Sequence, residues 1–189
     1  MTLTLSGWIF LAVMAVVLFT VIGIYNRLIR LRQQARAAWS DIDAQLKRRA
    51  DLVGNLVGTV KGYAGHEERT LTEVARWRSA TTTARGPHEA SVAESGLMQA
   101  LRGLYVVAEA YPELKADQSF LGLQAELSQI ETDALNARRY YNAVVRDYNT
   151  ALELFPSSLV ATLGAFRPQS FFEIQQPTER QAPRVSFER

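Results

Sequence analysis

The sequence predicts an all-α protein in which an N-terminal transmembrane helix continues directly into a long antiparallel bundle of about four helices, two long and two short. Three observations favour this fold. Residues 8–25 form a segment of 18 residues without a charge. No proline occurs before Pro87, so nothing in the sequence stops a helix that leaves this segment. Two later stretches, residues 27–64 and 117–155, carry apolar residues at heptad spacing.

The uncharged segment is long enough to anchor the chain in a membrane. At about 1.5 Å per residue it covers most of a hydrocarbon core of about 30 Å. We therefore predict that residues 1–26 are a membrane anchor. A cleaved signal peptide is the competing interpretation. It normally has a basic start and a small-residue cleavage site, but here the start is uncharged and no A-x-A site precedes the arginines that follow Tyr25. The predicted anchor residues are Trp8, Phe10, Leu18, Phe19 and Tyr25.

A basic cluster follows the anchor and predicts its orientation. Residues 27–64 hold eight Lys and Arg against three Asp, and the seven residues before Trp8 hold no Lys or Arg. The positive-inside rule then places the N-terminus outside and residues 27–189 in the cytoplasm. The juxtamembrane basic residues are Arg27, Arg30, Arg32 and Arg36.

Heptad positions continue along the predicted first helix to about Tyr63. They indicate a seam along which a second long helix packs, although a single amphipathic helix on a globular core shows much the same stripe. Arg49 is the one charge on the seam. One series is Leu28, Ala35, Ile42, Arg49, Leu56 and Tyr63, and the other is Trp39, Leu46, Val53 and Val60.

Three further helices are predicted in the bundle domain, residues 27–155. The second runs from about His66–Glu68 to Ala84 and the third from about Glu89 to Ala110. The fourth runs from Asp117, as its N-cap, to Phe155. Its heptad positions include Phe120, Leu127, Tyr141, Tyr148 and Phe155. Helices one and four outside the anchor have matching lengths of about 57 and 58 Å.

Short connections predict that the two long helices are antiparallel. Residue numbers at equal height then sum to roughly 182, from pairing 27 with 155 and 64 with 117. In this register Arg49 lies beside Glu131 and Asp133, and Asp43 lies beside Arg138 and Arg139. The alternative for Arg49 is a side chain that extends along the bundle with its charge in water.

Gly54, Gly58 and Gly62 form a repeated G-x-x-x-G outside the anchor. Within a lipid-embedded helix this pattern would favour close helix contact. Here we favour the simpler interpretation of a weakened or bent helix.

The C-terminal tail, residues 156–189, is apolar at first and then extended. Phe166, Phe171 and Phe172 are predicted to make its contacts, either with the bilayer surface or with the bundle or a neighbouring subunit. Packing against protein is the favoured alternative. Residues from Gln175 are predicted to be extended, and residues 182–187 either add to a partner's sheet edge or form a loose end.

Known catalytic and ligand-binding patterns are missing from the sequence. There is no cysteine, and the two histidines have no second ligand at helical spacing. No phosphate-binding loop, dinucleotide fingerprint or nucleophile elbow occurs. We therefore predict no metal, no cofactor, no small-molecule substrate and no catalysis. A net charge of +2 also argues against nucleic acid as a partner.

Long motifs in the chain resemble the LemA family over most of residues 25–175. They are Ala38–Arg49, Asp51–Leu52, Asn55–Val57, Thr59–Ala64, His66–Glu67, Tyr111–Ala116, Phe120–Leu121, Glu126–Leu127, Ala137–Asn142, Phe155–Pro156 and Phe172–Glu173. The resemblance implies a bacterial membrane protein with an N-terminal anchor and a helical bundle, with some relatives that take part in forming magnetosome membranes. It implies no catalytic residue set. The chain departs from the family pattern at Gly54, where the family has proline.

Two hypotheses of function follow. The first is a structural or scaffolding protein of the bacterial inner membrane, crossing it once, that self-associates as a homo-oligomer or binds other membrane proteins. The second is a membrane-surface or lipid-shaping module that uses the basic cluster and the aromatic tail against anionic headgroups of the lipid bilayer. An enzyme is the least favoured class.

Overall fold

The computed structural model describes residues 5–173, which form six α-helices. The all-α fold is confirmed, and α1 and α5 are its two long helices. The short helices α4 and α6 were not predicted. The helices are α1 (Leu5–Tyr63), α2 (Glu68–Thr83), α3 (Pro87–Glu109), α4 (Pro112–Ala116), α5 (Gln118–Glu153) and α6 (Ser157–Leu163).

Local chemistry accounts for several helix ends. Pro87 and Pro112 stand at the start of α3 and α4, where a missing backbone N–H costs nothing. Gly86 precedes α3 with a φ of 84°, a left-handed conformation that glycine adopts without strain. Asp117 caps α5 as predicted, since its Oδ1 accepts hydrogen bonds from the backbone of Ser119 at 2.8 Å and Phe120 at 3.0 Å.

The antiparallel pairing of α1 with α5 is visible in three contacts. The Tyr63 hydroxyl donates to Asp117 Oδ2 at 2.9 Å, and the rings of Trp39 and Tyr141 lie 5.5 Å apart. Leu28 and Ala151 share one apolar cluster. The paired numbers sum to 180, 180 and 179, close to the predicted 182.

Burial confirms most of the predicted seam. Leu28, Ala35, Ile42, Leu46, Val53, Leu56 and Val60 are buried on α1, and Phe120, Leu127, Tyr141 and Tyr148 on α5. The prediction was wrong at both ends. Tyr63 is 41% exposed at the last residue of α1, and Phe155 is 81% exposed because α5 ends at Glu153, two residues earlier.

Two compact units make up the described chain. Residues 5–40 with 139–170 form the first unit, and residues 41–138 with 171–173 form the second. Both long helices therefore contribute to each unit. The second unit has the larger apolar core, which is built from α1, α2, α3, α4 and α5 and is centred on Val53, Leu56, Val74, Leu97, Leu104, Leu114 and Phe120.

A glycine allows α2 and α3 of the second unit to approach closely. A Cβ atom at Gly96 would lie 2.3 Å from the indole ring of Trp77, so the ring packs directly on the backbone of α3. Arg76 covers this ring from α2, with its guanidinium carbon 4.6 Å from the ring centroid.

The residues that follow α5 complete the packing of the first unit. Helix α6 buries Val160 and Ala161 against Leu28 and Ala151. The tail segment (residues 164–173) then runs back along α5. Tyr148 and Tyr141 donate hydrogen bonds from their hydroxyls to the carbonyls of Arg167 and Ser170 at 3.0 and 2.8 Å.

Helix α1 begins with a candidate membrane span. Its apolar window is long and hydrophobic enough to cross a membrane, and none of it is buried within the protein. The predicted anchor residues Trp8, Phe10, Leu18, Phe19 and Tyr25 all expose their side chains. Bilayer lipid would cover this surface.

Candidate functional site

A buried ion pair is the main polar feature of the second unit. Heptad spacing puts Arg49 on the inner face of α1, and α3 directs Glu94 towards it. The Arg49 Nη1 atom donates to Glu94 Oε2 at 2.8 Å, and the two side chains are only 7% and 1% exposed. Two charges removed from water in this way depend strongly on each other.

Burial changes the pKa of Glu94 more than the attraction of Arg49 does. Burial raises the pKa of the Glu94 carboxyl, and the positive charge of Arg49 opposes this rise without cancelling it. Arg49 Nε is buried without a hydrogen-bond partner, and the hydroxyl of Thr81 on α2 also lowers the pKa of the Glu94 carboxyl. Gln45 Oε1, one helical turn before Arg49, has no hydrogen-bond partner either. Breaking the pair would therefore leave costly uncompensated polar groups.

Two cavities adjoin the pair. One of about 210 Å³ is lined by Arg49, Glu94, Met98, Glu131, Arg138 and Phe172, with aliphatic side chains from α1 and α5. The other, of about 350 Å³, shares Arg49, Met98 and Glu131 with it and extends along α3 to Arg102 and Tyr105. Within residues 5–173 no group of three or more His, Cys, Asp or Glu side chains is placed to hold a metal.

The ion pair differs from the one that the sequence predicted. Arg49 pairs with Glu94 of α3, not with Glu131 or Asp133 of α5. The predicted register of α5 against α1 agrees with the structure here, since Glu131 and Arg49 line the same two cavities. Asp133 instead accepts a hydrogen bond from Gln129 at 3.1 Å. The alternative of Arg49 reaching water is also wrong, because its side chain is buried.

Asp43 was predicted to pair with Arg138 and Arg139. In the part of the chain that the structure describes, Asp43 forms no ion pair with Arg138, whose side chain lines the smaller cavity. Asp43 and Arg139 belong to different units, and their pairing stays a prediction.

The juxtamembrane arginines divide into two kinds. Arg27, Arg30 and Arg36 are exposed on α1. Arg32 is half-buried and lies over the ring of Phe166, 5.1 Å from its centroid. Burial raises the pKa of the nearby Tyr148 phenol, and the positive charges of Arg32 and Arg36 oppose that rise. Arg32 is therefore tied to the protein, whereas the other three face outward.

The tail aromatics mostly contact protein. Phe166 packs edge-on against Tyr25 with ring centroids 5.5 Å apart, and Phe172 is 2% exposed beside the smaller cavity. Phe171 keeps 40% of its surface exposed. The Ser91 hydroxyl donates to the carbonyl of Glu173, which attaches Glu173 to α3 within the second unit. The predicted extended segment from Gln175 lies outside the described residues.

Sequence reasoning missed Glu94, although a signal was present. Glu94, Leu101 and Ala108 recur by sevens and alternate with Leu97 and Leu104 at heptad spacing on α3, and all are buried. A charge on this inner stripe of α3 is the counterpart of the charge on the α1 seam. Two charges of opposite sign on the inner stripes of neighbouring helices indicate an ion pair between those helices.

Gly54 makes a close helix contact, which we did not favour from the G-x-x-x-G spacing. A Cβ atom there would lie 2.9 Å from the guanidinium of Arg78, whose Nε donates to the carbonyl of Ala50 at 2.6 Å. Helix α1 continues through Gly54 without interruption. The glycine lets Arg78 of α2 lie against the α1 backbone, as close helix contact requires.

The fold and the site together define an all-helical, membrane-associated protein with one candidate N-terminal span and a buried ion pair in its bundle. A profile of the LemA family matches residues 38–187. The chain therefore belongs to the LemA family, as its motifs predicted.

Individual relatives support the assignment. Protein LemA of Metamycoplasma hominis is 27% identical over 153 residues, which are 80% of this chain and 70% of that protein. Magnetosome protein MamQ of Magnetospirillum gryphiswaldense is 22% identical over 190 residues, covering 86% of this chain and 70% of the relative. Magnetosome protein MamQ 2 of Paramagnetospirillum magneticum is similar to the same extent, at 22% identity over 191 residues.

Proposed function

We propose that this protein is a membrane-anchored scaffold without enzymatic activity. It holds a helical bundle at the cytoplasmic face of the bacterial inner membrane and acts by self-association or by binding other membrane proteins. The observation that carries the proposal is the continuity of α1. One helix, Leu5–Tyr63, contains both the unburied apolar span and the buried seam of the bundle.

The continuity of α1 matters because no linker separates the candidate span from the first residues of the buried seam. A tethered enzyme or binding domain usually follows a linker rich in glycine, serine or proline. Here the residues after Tyr25 continue in helical conformation and begin the buried seam at Leu28. Such an arrangement suits a protein that attaches a helical bundle to the membrane without a linker.

Orientation in this proposal rests on the exposed basic residues. Arg27, Arg30 and Arg36 stand directly after the span and face outward, which favours the cytoplasmic side for the bundle.

Cysteine cross-linking in native membranes tests the scaffold role. The chain has no cysteine, so one substitution at an exposed bundle position, such as Val92, Val106 or Tyr140, supplies the only reactive thiol. A thiol-reactive photo-cross-linker should yield adducts with a second copy or with a fixed set of membrane proteins from at least one position. The unsubstituted chain is the matched control. Only monomer from every exposed position would contradict the scaffold proposal.

The exposed arginines favour a second candidate, a module that binds or shapes anionic lipid. Basic residues near an anionic surface contribute about 1 kcal/mol each at physiological ionic strength. The aromatic tail supports this candidate less, because Phe172 is buried and Phe166 is half-buried against Tyr25. Residues 27–189 should bind anionic liposomes in a salt-sensitive way if this candidate is right. If residues 27–189 do not bind these liposomes, the lipid-binding candidate is wrong and the scaffold remains the proposed function.

A further inference from the structure

The turn between α5 and α6 exposes an unusual amount of apolar surface. Residues 154–166, the α5–α6 corner, contain no Asp, Glu, Lys or Arg and lie between Glu153 and Arg167. Four of their large side chains are mostly uncovered, with exposed fractions of 56% at Leu154, 81% at Phe155, 59% at Leu159 and 88% at Leu163. Contiguous apolar surface of this kind marks an interaction site.

Helix α6 separates its apolar residues into two sets. Val160 and Ala161 are buried in the first unit, while Leu159 and Leu163 are four residues apart and project from one exposed side. In a helix that lies on a water-soluble protein, that side would carry polar residues. Here the exposed side carries Leu159 and Leu163, with Thr162 as its exposed polar residue, which indicates that something other than water covers it.

The corner lies beside the place where α1 leaves its candidate span. Ile24 and Leu28 pack in the same apolar cluster as Val160 and Ala161 of α6. Phe166, at the end of the corner, contacts the ring of Tyr25, the last residue of the uncharged segment. The headgroup region of a bilayer crossed by α1 would therefore be at the height of the corner.

Several polar groups of the corner form hydrogen bonds within it. The hydroxyls of Ser157 and Thr162 donate to the carbonyls of Leu154 and Ser158 at 2.8 and 2.9 Å. The backbone N–H groups of Gly164 and Phe166 donate to α6 carbonyls at 2.9 and 3.0 Å. Moving this surface out of water consequently removes few unpaired donors or acceptors.

We propose that the α5–α6 corner is a second membrane contact, which inserts Leu154, Phe155, Leu159 and Leu163 into the interfacial layer of the phospholipid bilayer that α1 crosses. The inference rests on the proposed membrane anchor. Lipid is the occupant because the exposed surface continues from the apolar span through Tyr25 and Phe166. The chain would then be held at two points, by the span and by the corner.

Depth-dependent fluorescence quenching in proteoliposomes tests the proposal with the full chain. Single cysteines at Phe155 and Leu163 carry a small environment-sensitive dye, and the lipids carry a doxyl quencher at a shallow or a deep acyl position. Tyr140→Cys is the matched negative control, since Tyr140 is also exposed at 57% but lies on α5 about 22 Å before the corner. Val17→Cys, in the middle of the candidate span, is the positive control for insertion.

We expect shallow quenching at Phe155→Cys and Leu163→Cys, about twofold stronger than at Tyr140→Cys, as for a face buried in the interface. Deep quenching is expected at Val17→Cys. Quenching at position 17 together with none at 155 and 163 would overturn the corner contact and leave the anchor intact. Adducts between two copies through unquenched 155 or 163 thiols would overturn it in favour of self-association. Loss of quenching at position 17 itself would overturn both the anchor and the corner.

Discussion

Arg78 Nε donates a hydrogen bond of 2.6 Å to the backbone carbonyl of Ala50, across the part of α1 that Gly54 leaves uncovered. Gly54→Ala would place a methyl group 2.9 Å from this guanidinium and displace it. We expect the lost contact to offset the helix-propensity gain of about 1 kcal/mol that alanine brings. Gly58→Ala is the control, because nothing lies within 4 Å of its added Cβ, and it should stabilise.

Chemical unfolding of the full chain in detergent micelles measures both variants. Repeating the pair in an Arg78→Met background should make Gly54→Ala as favourable as Gly58→Ala. Equal effects of the two glycine substitutions in the original background would show that Arg78 does not depend on Gly54.

Breaking the buried ion pair should be more costly than replacing it. Arg49→Met leaves Glu94 as a buried carboxylate without its partner, and we expect a loss of about 3–5 kcal/mol in unfolding free energy. The double variant Arg49→Met, Glu94→Leu removes both charges and should recover most of that loss. A single variant within about 0.5 kcal/mol of the original chain would indicate that water reaches the pair.

The raised pKa of Glu94 predicts a definite pH dependence. Its stability contribution is fully present below the ordinary glutamate pKa of about 4.3 and is lost as pH rises through the folded-state pKa. The melting temperature of the original chain should therefore fall relative to Glu94→Gln as pH rises from about 4 towards neutrality. The opposite trend would mean that the attraction of Arg49 outweighs burial.

Gly96 should tolerate no side chain. Gly96→Ala forces a methyl group to within 2.3 Å of the Trp77 ring, and overpacking of this kind costs about 1–3 kcal/mol. Gly103→Ala on the same helix is the control, since its nearest neighbour is 3.8 Å away and alanine favours the helix. In thermal unfolding followed by circular dichroism, the unfolding midpoint should be lower for Gly96→Ala and higher for Gly103→Ala than for the original chain. A raised midpoint for both would contradict the packing of Trp77 on the α3 backbone.

The tail segment should be released by one substitution on α5. Asn149 donates to the carbonyl of Gln169 and accepts from its N–H, both at 2.9 Å. Asn149→Ala removes both bonds, and we expect hydrogen exchange at residues 165–173 to accelerate by an amount equivalent to about 1–3 kcal/mol. Thr150→Ala, at an exposed neighbouring position, should leave the exchange unchanged.

The long helices and their register could be predicted because periodic patterns determine them. Leu28, Ile42 and Val53 repeat along one face of α1, and the same spacing recurs on α5. The matching lengths of the two stretches then placed residue 64 near Asp117. The partner of Arg49 could not be predicted in the same way, because no pattern in the sequence fixed the position of α3 along α1. Glu94 lies on α3, and its contact with Arg49 depends on how α3 packs against α1 in three dimensions.

The path of the tail segment could not be predicted from heptad spacing either. It follows side chains of α5 that bind backbone groups, chiefly Tyr141, Tyr148 and Asn149. Tyr141 and Tyr148 were recognised as apolar seam residues, and their hydroxyls were not assigned. The exposure of Phe155 was missed because the heptad continued past the point where α5 ends.

Accessibility of a single cysteine tests most directly the claim that α1 anchors the bundle at the cytoplasmic face of a membrane. Asn55→Cys places one thiol on an exposed position of α1 within the bundle, in a chain without other cysteines. A membrane-impermeant thiol reagent should label it in inverted inner-membrane vesicles and not in intact spheroplasts, with the protein retained in the membrane after an alkaline wash. Labelling in intact spheroplasts, or release of the protein by the wash, would contradict the account.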